Sequence, residues 1–298
     1  MSNSESDHAK GLLLTAIGGL ALTVDIPLIK LANGDIWSIL AVRTGTTLIA
    51  ALVVWFVWRA VRGTAPALVP GRYGIAVAFF YALTSVCFLS AVFHTSTANL
   101  VFIVAFSTVF ASALSWIFLK ERPRNSTLLA MAVMLVGIAI IVSDGIGSGR
   151  LFGDFLALMA AFFLACAITV SRKSGKDMGF TSLVAVALPL MLALVMVAKT
   201  GYSIEAPWWI ILNGAIVMPI SFFCLATGPR YLSGPEVAMF YLLETVLAPI
   251  WVWLIFAETP TTRGLIGGAI LVTALVAHSA WQLYQGRQRR LVAMRAPA

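Results

Sequence analysis

The sequence predicts an all-α membrane protein of ten transmembrane helices, arranged as two inverted five-helix repeats around a central cavity. Three observations lead there. Of the 298 residues, 60% are hydrophobic and only 11% charged, where a soluble domain carries about 25% charged residues, and the mean hydropathy is +0.96. Long uncharged runs recur at the length a helix needs to cross hydrocarbon, about 20 residues at 1.5 Å each. The chain also repeats itself. Ser96 to Pro123 aligns without a gap on Ser233 to Pro260, 137 positions on, with Ser96/Ser233, Thr108/Thr245, Val109/Val246, Ala111/Ala248, Trp116/Trp253, Glu121/Glu258 and Pro123/Pro260 coinciding and Cys87 falling on Cys224 upstream. A copy with an odd number of spans must re-enter the membrane upside down.

Uncharged runs at Asn125–Ser143, Met178–Ala198, Ala206–Pro229 and Gly264–Gly286 each hold one helix. The stretch from Tyr73 to Leu119 has no Asp, Glu, Lys or Arg and holds two, folded back at a tight turn near His94 to Ser96. The expected helices are 11–31, 36–58, 73–93, 97–119, 126–143, 151–171, 180–199, 207–227, 235–256 and 263–284. Residues 1–10 form a polar N-terminal tail with no basic n-region or cleavage site, so no removable signal peptide is expected. Residues 11–143 form the first repeat, 144–150 a glycine- and serine-rich linker, 151–284 the second repeat and 285–298 a basic tail.

Basic residues of short loops stay cytoplasmic. With the N-terminus inside, fifteen fall on the cytoplasmic side, among them Arg59, Arg62, Arg122, Arg172, Lys173 and Arg290, against Lys30, Arg150, Lys199 and Arg263 outside. Both termini are therefore expected in the cytoplasm. The net charge of +8 is spread over loops rather than gathered on one face, which accounts for it without nucleic acid; membrane lipid is the expected macroscopic partner. All nine tryptophans lie near expected helix ends, at headgroup level. Cys87, Cys166 and Cys224 show no metal or disulfide spacing, so no metal, disulfide or cofactor is indicated. No HExxH, paired catalytic aspartates or phosphate-binding loop occurs, which weighs against an enzyme and against direct ATP drive.

An ionisable side chain inside a span is costly unless it lines water or meets a partner. Glu244 sits at the centre of the ninth helix, on a face that carries Glu236, Phe240, Leu247 and Trp251 with Tyr241 beside it. It can hold a substrate ammonium, carry a proton, or hydrogen-bond a neighbouring helix while neutral. Its repeat mate is Ser107, so the halves differ chemically at this depth. Asp25 lies about six residues from the outer end of the first helix and Arg43 about seven from the outer start of the second, which gives them similar depth for a structural ion pair. Asp25, close to the helix-breaking Pro27, also stands as a cavity residue. Val77, Tyr81, Thr84 and Phe88 make a stripe on the third helix, and Asn99 and Phe102 open the fourth. Glu244, Tyr241, Phe240, Tyr81, Asn99, Phe102 and Asp25 together would supply aromatic walls with a few polar groups, suited to a small amphipathic solute. Pro27, Pro189, Pro219 and Pro249 fall within spans, as hinges or static bends. Gly264 and Gly268 have GxxxG spacing, for close packing within the chain or a dimer seam.

The segments LKERP (Leu119–Pro123), FAETP (Phe256–Pro260) and LLET (Leu242–Thr245) resemble the EamA family of the drug/metabolite transporter superfamily, over nearly the whole chain. The resemblance implies two antiparallel five-helix halves, a central cavity, glutamates closing the fourth and ninth helices at Glu121 and Glu258, and export by alternating access across a bacterial inner membrane. Glu244 matches the family's acid midway along the ninth helix, but Thr245 replaces its proline, and Ser107-Thr108 has none either. Among members the chain looks most similar to YddG-type bacterial exporters of aromatic and other amino acids. A small-molecule substrate is thus the implied partner, carried by a monomer, with a dimer left open. A non-transporting scaffold or receptor is the competing class.

Overall fold

In lipid the backbone has no water to bond, so a spanning segment must satisfy its own N–H and C=O groups as helix, and irregular backbone is tolerated only inside protein. The computed structural model follows that rule. It describes residues 2–120, 122–176, 178–227, 231–232 and 234–295, with side chains described outside 2–8, 146–148, 226–227, 234–239 and 286–295. The helices are α1 (Ser2–Leu22), α2 (Asp25–Leu31), α3 (Ile36–Arg62), α4 (Gly71–His94), α5 (Thr97–Ala105), α6 (Ser107–Leu119), α7 (Asn125–Ser148), α8 (Leu151–Ser174), α9 (Gly179–Val184), α10 (Ala187–Thr200), α11 (Pro207–Leu212), α12 (Met218–Thr227), α13 (Gly234–Phe256) and α14 (Thr262–Arg295), with a π-helical turn, Asn213–Val217, between α11 and α12. Among the described residues nine helical segments are long and apolar enough to cross a membrane, and Phe240–Phe256 of α13 is a shorter apolar helix.

Several expected spans are broken, and proline explains three of the breaks. A proline ring clashes with the carbonyl four residues earlier. Four residues before Pro27 is Thr23, where α1 gives way to α2; before Pro189 is Ala185, between α9 and α10; before Pro219 is Ala215, within the π-helical turn. At the first break Thr23 N–H turns to Leu20 O at 3.1 Å, and the Thr23 hydroxyl donates to the same carbonyl at 2.7 Å. Pro249 is carried inside α13 without a break. The interruption at Phe106 has no proline; there the Thr108 hydroxyl donates to Ala105 O at 3.1 Å, a competing bond of the kind that bends helices.

The turn at His94 to Ser96 forms as expected, with Ser96 capping α5 by accepting from Asn99 N–H. The linker does not. Helix α7 runs to Ser148 and stops at Gly149, whose φ of 73° closes it in the left-handed conformation, so the connection to α8 is two residues long. Helix likewise continues through both expected tails, from Ser2 at one end and to Arg295 at the other. The chain segments after α2 and before α11 are stitched by Asp35 N–H to Ser203 O (3.0 Å) and Glu205 N–H to Asn33 O (3.0 Å).

The GxxxG glycines pack within the chain. The Phe102 ring lies directly on Gly268, Asn99 faces Gly264, and a Cβ on Gly137 would come within 2.8 Å of Gly267 O, so α14 meets α5 and α7 at backbone distance. Ile103, Leu100, Ile141 and Leu271 fill this seam and are fully buried. Ile49, Val57, Val61, Leu129 and Met191 lie open on the outside, a distribution that suits hydrocarbon rather than water. Substituting Gly268 by Val should force the Phe102 ring aside and destabilise the fold by about 1–3 kcal/mol. Exposed Leu265→Val should stay within about 0.5 kcal/mol. Thermal melting of both variants in detergent checks the pair.

Candidate functional site

Three polar groups on separate segments close on one another inside the bundle. The break before α2 places Asp25 at its first turn, α3 carries Arg43, and the π-helical turn begins at Asn213. Arg43 donates from one terminal nitrogen to Asp25 Oδ1 and Oδ2, both at 3.0 Å, and from Nε to Asn213 Oδ1 at 3.1 Å. Asn213 Nδ2 donates to Asp25 Oδ1 at 2.6 Å and to its backbone carbonyl at 3.2 Å. The side chains of Arg43 and Asp25 are 6% and 3% exposed, so the pair is out of water and depends on this completed ring of bonds. Gly214 permits the close approach, since a Cβ there would collide with Arg43 O and Thr46. An extra residue in a helical turn often marks a functional position.

Glu244 lies within electrostatic reach of Asp25 and Arg43, and Tyr241 within reach of Tyr81 and Glu244, so α2, α3, α4 and α13 bring these four expected site residues and Arg43 into one neighbourhood. Tyr241 keeps 44% of its surface open although it sits within the helical assembly, and Tyr81 and Glu244 are half-buried. Glu244 has no hydrogen bond to a described residue. Two turns further along α13, Trp251 Nε1 donates to the Thr23 hydroxyl at 3.2 Å, tying α13 to the unwound backbone. Phe240 is half-buried beside Gly19, whose Cβ would stand 2.7 Å from Phe240 O. Glu236 lies outside the described side chains.

Asn99 and Phe102 are placed elsewhere. Phe102 is buried against Gly268, and Asn99 faces Gly264 and Asp154. Glu258 fixes their level: its Oε1 accepts Thr97 N–H at 2.7 Å at the start of α5, and its Oε2 pairs with Lys30 at the end of α2. Glu244 is fourteen positions before Glu258, so it and Asn99 differ in depth by about 15 Å. Glu121, the repeat mate of Glu258, lies outside the described residues. Sequence reasoning passed over Asn213, although a lone carboxamide six positions before Pro219 in an uncharged span is a visible signal. Among the described residues no three His, Cys, Asp or Glu side chains gather as a metal site would require.

The family model described as EamA-like transporter family matches residues 9–143 and again 151–279. An "uncharacterized transporter" of Archaeoglobus fulgidus is 23% identical over 72% of this chain and 77% of its own length. The pseudopaline exporter of Pseudomonas aeruginosa is 26% identical over 66% of this chain and 71% of its own. A solved crystal structure superposes with a TM-score of 0.64 at 14% identity, covering 92% of this chain and 98% of that one, a likeness of fold alone.

The Asp25–Arg43–Asn213 ring makes a testable energetic claim. Asp25→Asn or Arg43→Gln alone should cost about 3–5 kcal/mol, because each strands one buried charge. The double variant, neutral on both sides, should recover a large part of that loss. Unfolding midpoints of the two single variants and the double variant give the coupling, and strictly additive losses would contradict the ring.

Proposed function

Because the chain belongs to the EamA-like transporter family, we propose that it exports a small amine-bearing solute, an amino acid or a related metabolite, by alternating access. The chain is a multi-pass membrane protein; in this reading it has ten spans in two inverted halves of the bacterial inner membrane, with both termini cytoplasmic. The family model's two successive matches, and the gapless repeat of Ser96–Pro123 on Ser233–Pro260, support the duplication.

The observation that carries the reading is the neighbourhood of Glu244. A carboxylate, two phenols and an arginine–aspartate pair gather near the level where α1–α2 and α11–α12 are interrupted, and in this reading they line the cavity. Discontinuous helices at mid-depth are where transporters of this general design bind their cargo. Glu244 offers an acceptor to a substrate ammonium or takes up a proton when the ammonium leaves. Tyr81 and Tyr241 offer ring faces to a cation or an aromatic side chain. The Asp25–Arg43–Asn213 ring holds the opposite wall. These groups suit the amine end of a small solute. Aromatic and other neutral amino acids, the solutes of the YddG-type exporters, are the first class to test. Pseudopaline is the second, since a relative is named for exporting it.

Counterflow in proteoliposomes with a panel of amino acids and pseudopaline should show exchange for at least one solute. No flux for any of them, with the protein intact, would favour a scaffold or receptor. Glu244→Gln should lower exchange at least tenfold and flatten its pH dependence, whereas unchanged rates and an unchanged profile would remove Glu244 from the mechanism. Single cysteines introduced at Arg62 and Gly149 in a cysteine-free background should label from the cytoplasm and the periplasm respectively. Labelling from the same side would overturn the topology.

A further inference from the structure

A second polar pocket lies far from Glu244, where α5, α7, α8 and α14 converge. Asp154 is 1% exposed, in the first turn of α8, and its Oδ1 accepts the Thr95 hydroxyl at 2.5 Å. Its Oδ2 has no hydrogen-bond partner. Asn99 stands beside it, also 1% exposed, with its amide close enough to act on the Asp154 carboxyl, although neither Oδ1 nor Nδ2 completes a hydrogen bond of ordinary geometry. Two glycines make room for these oxygens: a Cβ on Gly145 would collide with Asp154 Oδ2, and one on Gly264 would come within 2.8 Å of Asn99 Oδ1. Buried polar atoms without partners are rare because each costs free energy comparable to a lost bond. Here the unmatched atoms belong to an acid and an amide, each packed against a glycine.

We propose that Asp154 Oδ2 and Asn99 Oδ1 form a buried site for one monovalent cation, a proton or sodium, that neutralises Asp154. Either ion resolves the same deficit. A proton on Oδ2 turns an acceptor into a donor aimed at the amide oxygen, and sodium, a hard cation, takes oxygen ligands from both. The surrounding charges oppose one another: Arg150, at the N-cap of α8, and Asp144 on α7 act on Asp154 with opposite signs, Arg150 the more strongly. Asp144 is held by the Thr261 hydroxyl at 2.7 Å, and that oxygen in turn accepts Gly264 N–H at 3.0 Å, which anchors the α14 wall. From α4 the titratable group at this end is His94, whose ring packs on Phe152 and bonds Ser90 O at 2.7 Å, facing away from the pocket. Helices α5 and α6 contain no titratable side chain. Any part this ion plays in driving export rests on the function proposed above; its binding does not.

Binding alone is therefore measured, on the purified full-length protein in detergent. In one arm, sodium chloride replaces choline chloride at fixed pH and ionic strength while the melting temperature is followed. In the other, the infrared carboxylic-acid band is titrated with pH in choline, as the difference between the natural protein and Asp154→Asn. A sodium-dependent rise of a few degrees, absent in Asp154→Asn, identifies sodium; a titrating band lost in Asp154→Asn, without a sodium shift, identifies the proton. Asn99→Ala, which leaves the acid in place, should weaken the sodium midpoint at least tenfold or displace the titration. It also carries the test if Asp154→Asn does not fold. Neither a sodium shift nor a titrating band, or responses that Asn99→Ala leaves unchanged, would overturn the site.

Discussion

A charged pair kept out of water decides where the helices of one side of this molecule can sit. Arg43 and Asp25 are each too costly to bury alone, and the ring of bonds that makes burial tolerable needs Asn213 as its third member. That requirement draws the unwound start of α2, the middle of α3 and the π-helical turn into contact. Gly214 and the break set by Pro27 are the local concessions that allow it. Once those segments are fixed, Glu244 on α13 faces a wall that is polar and rigid, and Tyr81 and Tyr241 complete the neighbourhood. The interior polarity is thus assembled around a pair that does not itself need to bind anything.

Much of this was legible in the sequence, and the unread parts have physical reasons. Spans followed from the spacing of charges, because hydrocarbon forbids them between helix ends. The similar depth of Asp25 and Arg43 followed from counting residues at 1.5 Å each. The breaks at Thr23, Ala185 and Ala215 were implicit in Pro27, Pro189 and Pro219, since the clash falls four residues back; Pro249, which α13 absorbs, shows that the rule gives a place and not a certainty. The break at Phe106 depends on hydroxyl competition that composition alone does not rank. Asn99 and Phe102 were grouped with Glu244 because all are polar or aromatic residues of the fourth and ninth helices, yet the depth count that served Asp25 and Arg43 separates them. Residues 144–150 read as linker by their glycine and serine content, but a helix end is set by where a left-handed residue occurs, here Gly149.

The two halves share a sequence pattern without sharing chemistry. Ser107 and Glu244 are repeat mates, and the chain breaks at Phe106 beside the first while α13 runs unbroken past the second. An acid at the centre of a continuous helix is held at constant depth. A serine beside an interruption has no such constraint. Both halves supply the polar interior, Asp25 and Arg43 from the first and Asn213 and Glu244 from the second, while the corresponding depth of α5 and α6 is packed as core by Ile103, Phe106 and Val109.

Two ion pairs rank the motions open to such a molecule. Asp25–Arg43 is nearly inaccessible to water, and separating it strands a buried charge at a cost of about 3–5 kcal/mol. Lys30–Glu258 joins the end of α2 to the segment after α13 with side chains 21% and 27% exposed, where water re-solvates either partner on opening. Exposed pairs of that kind contribute about 0–1 kcal/mol, and the bond from Thr97 N–H to Glu258 adds about 1.5–3 kcal/mol as a charge-assisted hydrogen bond. Under the alternating access proposed above, a rearrangement around Glu244 meets less resistance at the Lys30–Glu258–Thr97 junction than at the Asp25–Arg43–Asn213 ring.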